Sequence, residues 1–317
     1  VTSLAHSPLV TRLGAARRIL IAGAGGGYDV YCGVPLFLAL RAQGKDVHLA
    51  NLSFTYLGDT DAVRTHPVIA RVDARTRGAE RYFPEQALCE LLSARGIDAP
   101  IHCFEKVGVA PLREAYAELA ATLDLDAIVL VDGGTDILMR GDEPGLGTPE
   151  EDATSLAAVA GLASIAHRLV TCLGFGIDHF HGVSHVSVLE AVAALQREHA
   201  FLGAFSLLPS MPEARVFLDA VEHAERRFPR GSIVNGSIAS ALAGEFGDVK
   251  RLARTERSEL FVNPLMCLYW TFELEALARR SLYLKMLEGT ETIFEVSARI
   301  EAFRRAAPIR PRRPMPL

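Results

Sequence analysis

Ile19-Leu20-Ile21-Ala22-Gly23-Ala24-Gly25-Gly26-Gly27-Tyr28-Asp29-Val30 decides the reading of this chain. An apolar run without amphipathic period meets four glycines, and a second apolar segment follows within a few residues. That order reads as a buried strand, a tight turn and the start of a helix. Glycine lets backbone N–H groups face a ligand with no Cβ in the way, and a helix N-terminus adds partial positive charge. Gly23, Gly25, Gly26 and Gly27, with Asp29 beside them, are therefore expected to hold an anion, often a phosphate. A strand-to-helix turn without a ligand is the competing reading. The turn departs from the dinucleotide fingerprint, because Tyr28 stands where the third glycine would fall.

Outward from the turn, strand-like runs alternate with helical ones. Strands are expected at residues 18–23, 46–52, 100–104, 126–131, 168–173 and 201–207, all parallel. Helices fall at 34–42, 84–95, 111–123, 148–167 and 184–196. Thr148-Pro149-Glu150-Glu151 reads as a helix start, with Thr148 as N-cap and Glu151 closing a capping box. Residues 53–80 are polar, lack a period and are too long for an ordinary connection, so a functional excursion is expected there. From Met211 onward the pattern is largely helical, with Trp270, Phe272 and Tyr283 at helix-compatible spacing. The alternation implies an α/β fold, a doubly wound and mostly parallel sheet. The expected division is an α/β ligand-binding core over 1–210, a helical region over 211–305 packed on it within the same domain, and a Pro/Arg-rich tail over 306–317.

Composition narrows the function classes. The chain has 317 residues, a hydrophobic content of 50% and a mean hydropathy of +0.20, enough to bury a large core. No apolar run is long enough to span a bilayer, and residues 1–13 lack the marks of a secretory signal, so a cytoplasmic protein is expected. A net charge of −5 with mixed signs argues against a nucleic-acid partner. Arg310-Pro311-Arg312-Arg313-Pro314 reads as a solvated tail. Asp142-Glu143 and Glu150-Glu151 flank Gly145-Leu146-Gly147, an acidic segment read as a solvated turn or a lid. Cys32, Cys89, Cys103, Cys172 and Cys267 form neither a disulfide nor a zinc framework. A homo-oligomer is expected on general grounds.

Two further loops follow expected strands: Asp132-Gly133-Gly134-Thr135-Asp136, and Asp178-His179-Phe180-His181-Gly182-Val183-Ser184-His185. With the glycine turn and Asp29, the segments Val131-Asp132-Gly133-Gly134-Thr135-Asp136 and Gly174-Phe175-Gly176-Ile177-Asp178 resemble the "domain of unknown function 1152" family of archaeal and bacterial proteins. The resemblance covers most of the chain and implies one Rossmann-like α/β unit carrying those loops. No reaction comes with it.

In open α/β sheets, ligands bind beyond the carboxyl ends of the strands near a switch in strand order. The three loops should therefore gather Asp29, Asp132, Asp136, Asp178, His179, His181 and His185. Asp132, Gly133, Gly134, Thr135 and Asp136 are the expected ligand-binding loop. Asp178, His179 and His181 are the expected catalytic residues, since imidazole can act as base and acid near neutral pH. Asp132, Asp136 and His181 are the candidate ligands of a divalent metal ion. A hydrogen-bonded loop without metal is the alternative.

Two functions stay open. One is an enzyme acting on a phosphorylated or ribosylated small molecule, by metal-assisted hydrolysis or group transfer. The other is a nucleotide- or NAD-binding protein with a cofactor or regulatory ligand. Against free NAD, the second strand ends in Asn51-Leu52-Ser53, without the acid that holds an adenosine ribose. Asp29 would also repel a diphosphate unless a cation intervened.

Overall fold

The computed structural model describes residues 7–315. Nine strands form one sheet: β1 (Arg18–Gly23), β2 (Asp46–Leu52), β3 (Val63–His66), β4 (Ile69–Val72), β5 (Ile101–Phe104), β6 (Ala127–Asp132), β7 (His167–Cys172), β8 (Phe201–Ser206) and β9 (Leu268–Glu273). Ten helices accompany them: α1 (Pro8–Arg12), α2 (Asp29–Ala42), α3 (Pro84–Ala94), α4 (Val109–Thr122), α5 (Pro149–Ala160), α6 (His185–Arg197), α7 (Pro212–Arg227), α8 (Ile233–Leu242), α9 (Leu274–Arg280) and α10 (Ile293–Ala306). The strand order is β3-β4-β5-β2-β1-β6-β7-β9-β8.

The five strands β5-β2-β1-β6-β7 are parallel. Their order reverses direction of growth between β1 and β6, the switch point of a Rossmann-like sheet. β1 and β6 are apolar almost end to end because both faces are covered. Ile19 and Ile21 of β1 join one core with α2, α3, α7 and α8. Leu20 and Ala22 join the other with α4, α5, α9 and α10. One strand thus feeds two cores by simple alternation. α2 is buried over most of its length, from Val30 to Phe37 and again at Leu40, which explains why its sequence shows no polar face.

Several expectations are corrected at the margins. Residues 53–80 contain the β3–β4 hairpin, and β4 pairs antiparallel with β5. The strand at 201–206 does not join the parallel set directly. β9 lies between β7 and β8, antiparallel to both. The region expected to be largely helical therefore contributes a strand. Tyr269-Trp270-Thr271-Phe272 is made of aromatic and β-branched residues that favour a pleated surface, and Trp270 and Phe272 share a face by period two. α5 ends at Ala160, short of 167. Its Thr148 makes no side-chain cap, because its hydroxyl donates to Asp136 instead. Glu151 pairs with Lys106.

The Arg-rich tail is docked. Arg310 pairs with Asp142, Glu143 and Glu190, and Ser184 donates to the Arg313 carbonyl. Arg304 donates to the carbonyls of Gly141, Glu143 and Pro144. The acidic segment at 142–147 is thereby clamped, with Glu143 fully buried. Residues 1–6 and the last two of the tail lie outside the described residues. No helix among the described residues is long and apolar enough to cross a membrane.

Candidate functional site

The carboxyl ends of β1 and β6 open into a cavity of about 720 Å³. Its floor is acidic. Asp29 is the first residue of α2, Asp132 the last of β6, and Asp152 lies in the first turn of α5. One carboxylate oxygen from each lies within 4.8 Å of the others. Asp136 and Asp178 line the same cavity, from two single-turn 3₁₀ segments at Asp136–Leu138 and Ile177–His181.

Local bonds fix four of the five carboxylates. Asp29 Oδ2 accepts the Gly25 N–H at 2.7 Å. Asp178 Oδ2 accepts the Thr135 N–H at 2.6 Å, and Asp136 Oδ2 the Thr148 N–H at 2.8 Å. Asp132 Oδ2 takes a long bond from the Ile137 N–H, 3.4 Å. Ser155, one turn along from Asp152, donates to the Ala24 carbonyl at 2.7 Å and so fastens α5 to the glycine turn. Asp152 Oδ1 has no hydrogen-bond partner, although Asp152 is only 3% exposed.

The glycines serve this convergence. A Cβ on Gly25 would lie 2.7 Å from Asp152 Oδ1 and 2.9 Å from Asp29 Oδ2, and one on Gly133 would lie 2.8 Å from Asp29 Oδ1. Gly26 has φ +89° and packs under Phe54. Of the donors that the sequence reserves for a phosphate, Gly25 N–H goes to Asp29 and Gly27 N–H to the Leu52 carbonyl at 3.1 Å. Asp29 itself fills the anion seat at the start of α2.

Burial pushes all five carboxyls above the usual range, and for Asp29, Asp132, Asp152 and Asp178 repulsion from neighbouring carboxylates adds to it. Asp29 rises to about 8, against the lowering effect of the Gly25 N–H. At ~4 Å and an effective dielectric of about 20, each like-charge pair costs ~4 kcal/mol. Burial and crowding oppose full ionisation of the set; a divalent cation among the three oxygens would offset that repulsion. Oxygen donors select a hard cation such as Mg²⁺, Mn²⁺ or Ca²⁺. Cys32 lies beside them as a thiol, its pKa pushed up by burial and its Sγ donating to Asn235 Oδ1 at 3.0 Å.

Of the residues expected to hold a metal, Asp132 meets Asp29 and Asp152, Asp136 is directed to Thr148, and His181 is not among the three whose oxygens converge. Asp152 was not read as a site residue. It opens the continuous buried run of α5 from Asp152 to Val159, and a lone acid at the head of that otherwise uncharged run was the available signal.

The histidines separate. His181 lines the cavity, and its charge, when protonated, would lower the Asp136 pKa. His179 turns away to Arg312, with Nδ1 2.9 Å from Nη2, and its ring sits 5.4 Å from that of His185. Both line a different cavity of about 450 Å³. An extended His-x-His would place both rings on one side; a 3₁₀ turn rotates residues two apart by about 120°. His179 and His185 are therefore not beside the carboxylates.

The upper wall is aromatic and basic, with Phe54, Tyr82, Lys106, Arg230 and Arg254. Lys106 Nζ stands 4.6 Å over the Phe54 ring and pairs with Glu151 at 2.6 Å. At the end of β2, Asn51 is buried and donates to the Gly27 carbonyl and to Glu85 Oε1, each at 2.8 Å. It offers nothing to a ribose.

The family described as "Protein of unknown function (DUF1152)" matches residues 20–306. The chain belongs to the DUF1152 family. That span runs from β1 to the end of α10, so all five cavity carboxylates lie inside it. No curated protein and no solved structure matches the chain.

Proposed function

We propose that this DUF1152 protein is a divalent-cation-dependent enzyme that carries out hydrolysis or group transfer on a phosphorylated or ribosylated small molecule. The observation that carries the reading is the meeting of Asp29, Asp132 and Asp152 within 4.8 Å, with Asp152 Oδ1 buried and unpartnered. A buried carboxylate oxygen without a donor costs stability unless something occupies its lone pairs. Asp29, Asp132 and Asp152 would hold the cation, which would supply Lewis-acid polarisation of a phosphoryl oxygen or activation of a water. His181 on the same cavity is the residue to move a proton. Asp178 holds the Thr135 loop in place rather than reacting. The basic upper wall suits an anionic substrate, and the acidic floor admits one only through a cation. A cytoplasmic setting is part of the same reading, since five free, buried cysteines suit a reducing compartment.

The test is a panel of sugar phosphates, nucleotides and nucleosides, assayed with Mg²⁺ or Mn²⁺ and with chelator. Cation-dependent turnover of at least one class is expected, lowered at least about 100-fold by Asp152→Asn and by His181→Ala in folded protein. Turnover that is indifferent to chelator and to both substitutions would refute the assignment.

A further inference from the structure

Beneath the glycine turn lies a buried polar pair outside the cation site itself. Asn51, next to last in β2, and Glu85, the second residue of α3, are both 0% exposed. Asn51 Nδ2 donates to Glu85 Oε1 and to the Gly27 carbonyl, each at 2.8 Å. Burial pushes the Glu85 carboxyl above its usual range. Asn51 Oδ1 has no hydrogen-bond partner among the described residues. A pair so desolvated and incompletely bonded is a costly link between β2 and α3. Apolar side chains of the same shape can join two elements as well or better. What such a pair could not supply is a donor to Gly27.

Gly27 is where the glycine turn needs an anchor. Gly26 and Gly27 have φ +89° and +59°, two successive left-handed residues with little intrinsic preference for one conformation. The turn is tied to β6 at its start, by the Ala24 N–H on the Val131 carbonyl at 2.9 Å. It is tied to β2 at its end, by the Gly27 N–H on the Leu52 carbonyl at 3.1 Å. The Asn51 amide adds a second tie at Gly27, two residues before Asp29. A Cβ on Gly23 would lie 2.1 Å from Asn51 Oδ1 and 3.0 Å from Asp29 Cβ, so the amide also stands against the first turn of α2. Among the three converging carboxylates, Asp132 ends a central strand, and Asp152 belongs to a helix that Ser155 fastens to Ala24. Asp29 alone depends on a pair of left-handed glycines. Resting on the reading of the cavity as a cation-dependent site, we infer that Asn51 and Glu85 are positioning residues for its Asp29 ligand. Glu85 orients the Asn51 amide, the amide fixes Gly27, and the turn so fixed brings a carboxylate oxygen of Asp29 to Asp132 and Asp152. Neither residue lines the cavity, so each acts through the turn.

The test is Mn²⁺ binding to the whole protein, read by electron paramagnetic resonance as loss of the free-ion signal, with circular dichroism as the fold control. Glu85→Leu removes the acceptor that orients Asn51 and should weaken Mn²⁺ binding at least about tenfold. Glu85→Gln keeps a side-chain oxygen for the Asn51 amide and should bind Mn²⁺ within about twofold of wild type. A role confined to packing would leave the affinity of both folded variants unmoved. A second measurement requires no variant to fold. Coupling between two groups is reciprocal, so a cation held by Asp29 should steady the clamp in turn. In wild-type protein the Asn51 side-chain amide protons, followed by NMR, should exchange at least about tenfold more slowly with saturating Mg²⁺ than with chelator. Wild-type Mn²⁺ affinity in folded Glu85→Leu, equal losses in the Leu and Gln variants, or Asn51 exchange indifferent to Mg²⁺ would each overturn the inference. In those cases Mn²⁺ still binds the wild type, and the proposed enzyme stands without this pair. If the wild type binds no Mn²⁺, the cation site and its positioning pair fall together.

Discussion

Asp152→Asn should change the stability of this protein in opposite directions with and without a divalent cation. The substitution keeps shape and removes one charge from a floor where three carboxylate oxygens lie within 4.8 Å. In the absence of cation it relieves repulsion with Asp29 and Asp132 and the burial of a charge. Each pair is worth ~4 kcal/mol at full ionisation and an effective dielectric of about 20, so partial protonation leaves a gain of about 1–3 kcal/mol. With an unfolding entropy of about 2.1 cal/mol/K per residue, a chain of 317 residues shifts its Tm by about 1.5 °C per kcal/mol. The variant should therefore melt about 2–4 °C higher than wild type in chelator. A cation at 100 times its Kd stabilises the wild type by ~2.7 kcal/mol, or about 4 °C. The variant, lacking one of three ligands, should lose most of that response. Differential scanning calorimetry at pH 7.5, with chelator and then with Mn²⁺, measures both. A variant that melts lower than wild type in chelator, or a wild type that Mn²⁺ does not move, would refute the reasoning.

Three further outcomes are expected. The folded pKa of Asp29 is raised, to about 8, so between about pH 4 and pH 8 the folded protein binds more protons than the unfolded chain and stability falls as pH rises. Chelator-treated protein should lose Tm across that window; Mn²⁺ should recover it at pH 8 and do little at pH 5, and a Tm that climbs with pH in chelator would count against the buried carboxyl cluster. Gly25→Ala places a Cβ 2.7 Å from Asp152 Oδ1, so Mn²⁺ affinity should fall at least about tenfold with the fold retained; unchanged affinity by calorimetric titration would free the turn from this role. Arg310→Ala removes a partner from buried Glu143 as well as from Asp142 and Glu190, and a loss of about 1–3 kcal/mol is expected. Hydrogen exchange should quicken at 141–147 in that variant, and unaltered protection there would show that Arg304 and Arg280, which stands 3.8 Å from Glu143 Oε1, hold the segment unaided.

The sheet was legible where burial on both faces leaves no choice of residue. Arg18–Gly23 and Asp46–Leu52 coincide with their expected bounds, and the strand expected at 126–131 lies at the centre as Ala127–Asp132. The two edges were not equally legible: a strand was expected at 201–207, where β8 lies, while β3 was not expected. β3, with residues Val63-Arg64-Thr65-His66, is exposed along most of its length and carries no hydrophobic period to read. β9 was hidden differently. Its aromatic residues recur at intervals that suit a helix as well as a strand, and the antiparallel insertion between β7 and β8 is a matter of tertiary pairing.

The site was legible as an edge of the sheet and only partly as a set of ligands. Asp29, Asp132, Asp136, Asp178 and His181 do meet around one cavity, because a loop leaving the carboxyl end of a parallel strand has only one edge to occupy. Which atoms converge depends on bonds one residue long. Asp136 is drawn to Thr148, and His179 is turned by a 3₁₀ step to Arg312, while Asp152 enters from a helix that reads as an ordinary acidic start. The same first-turn position that makes Asp152 look like a cap residue aims it, as the head of a buried run, at the end of β1. A carboxylate that only needed to favour a helix dipole could do so half-buried, as Glu150 does. Asp152 instead accepts desolvation without a donor for Oδ1, a cost that the proposed cation would offset.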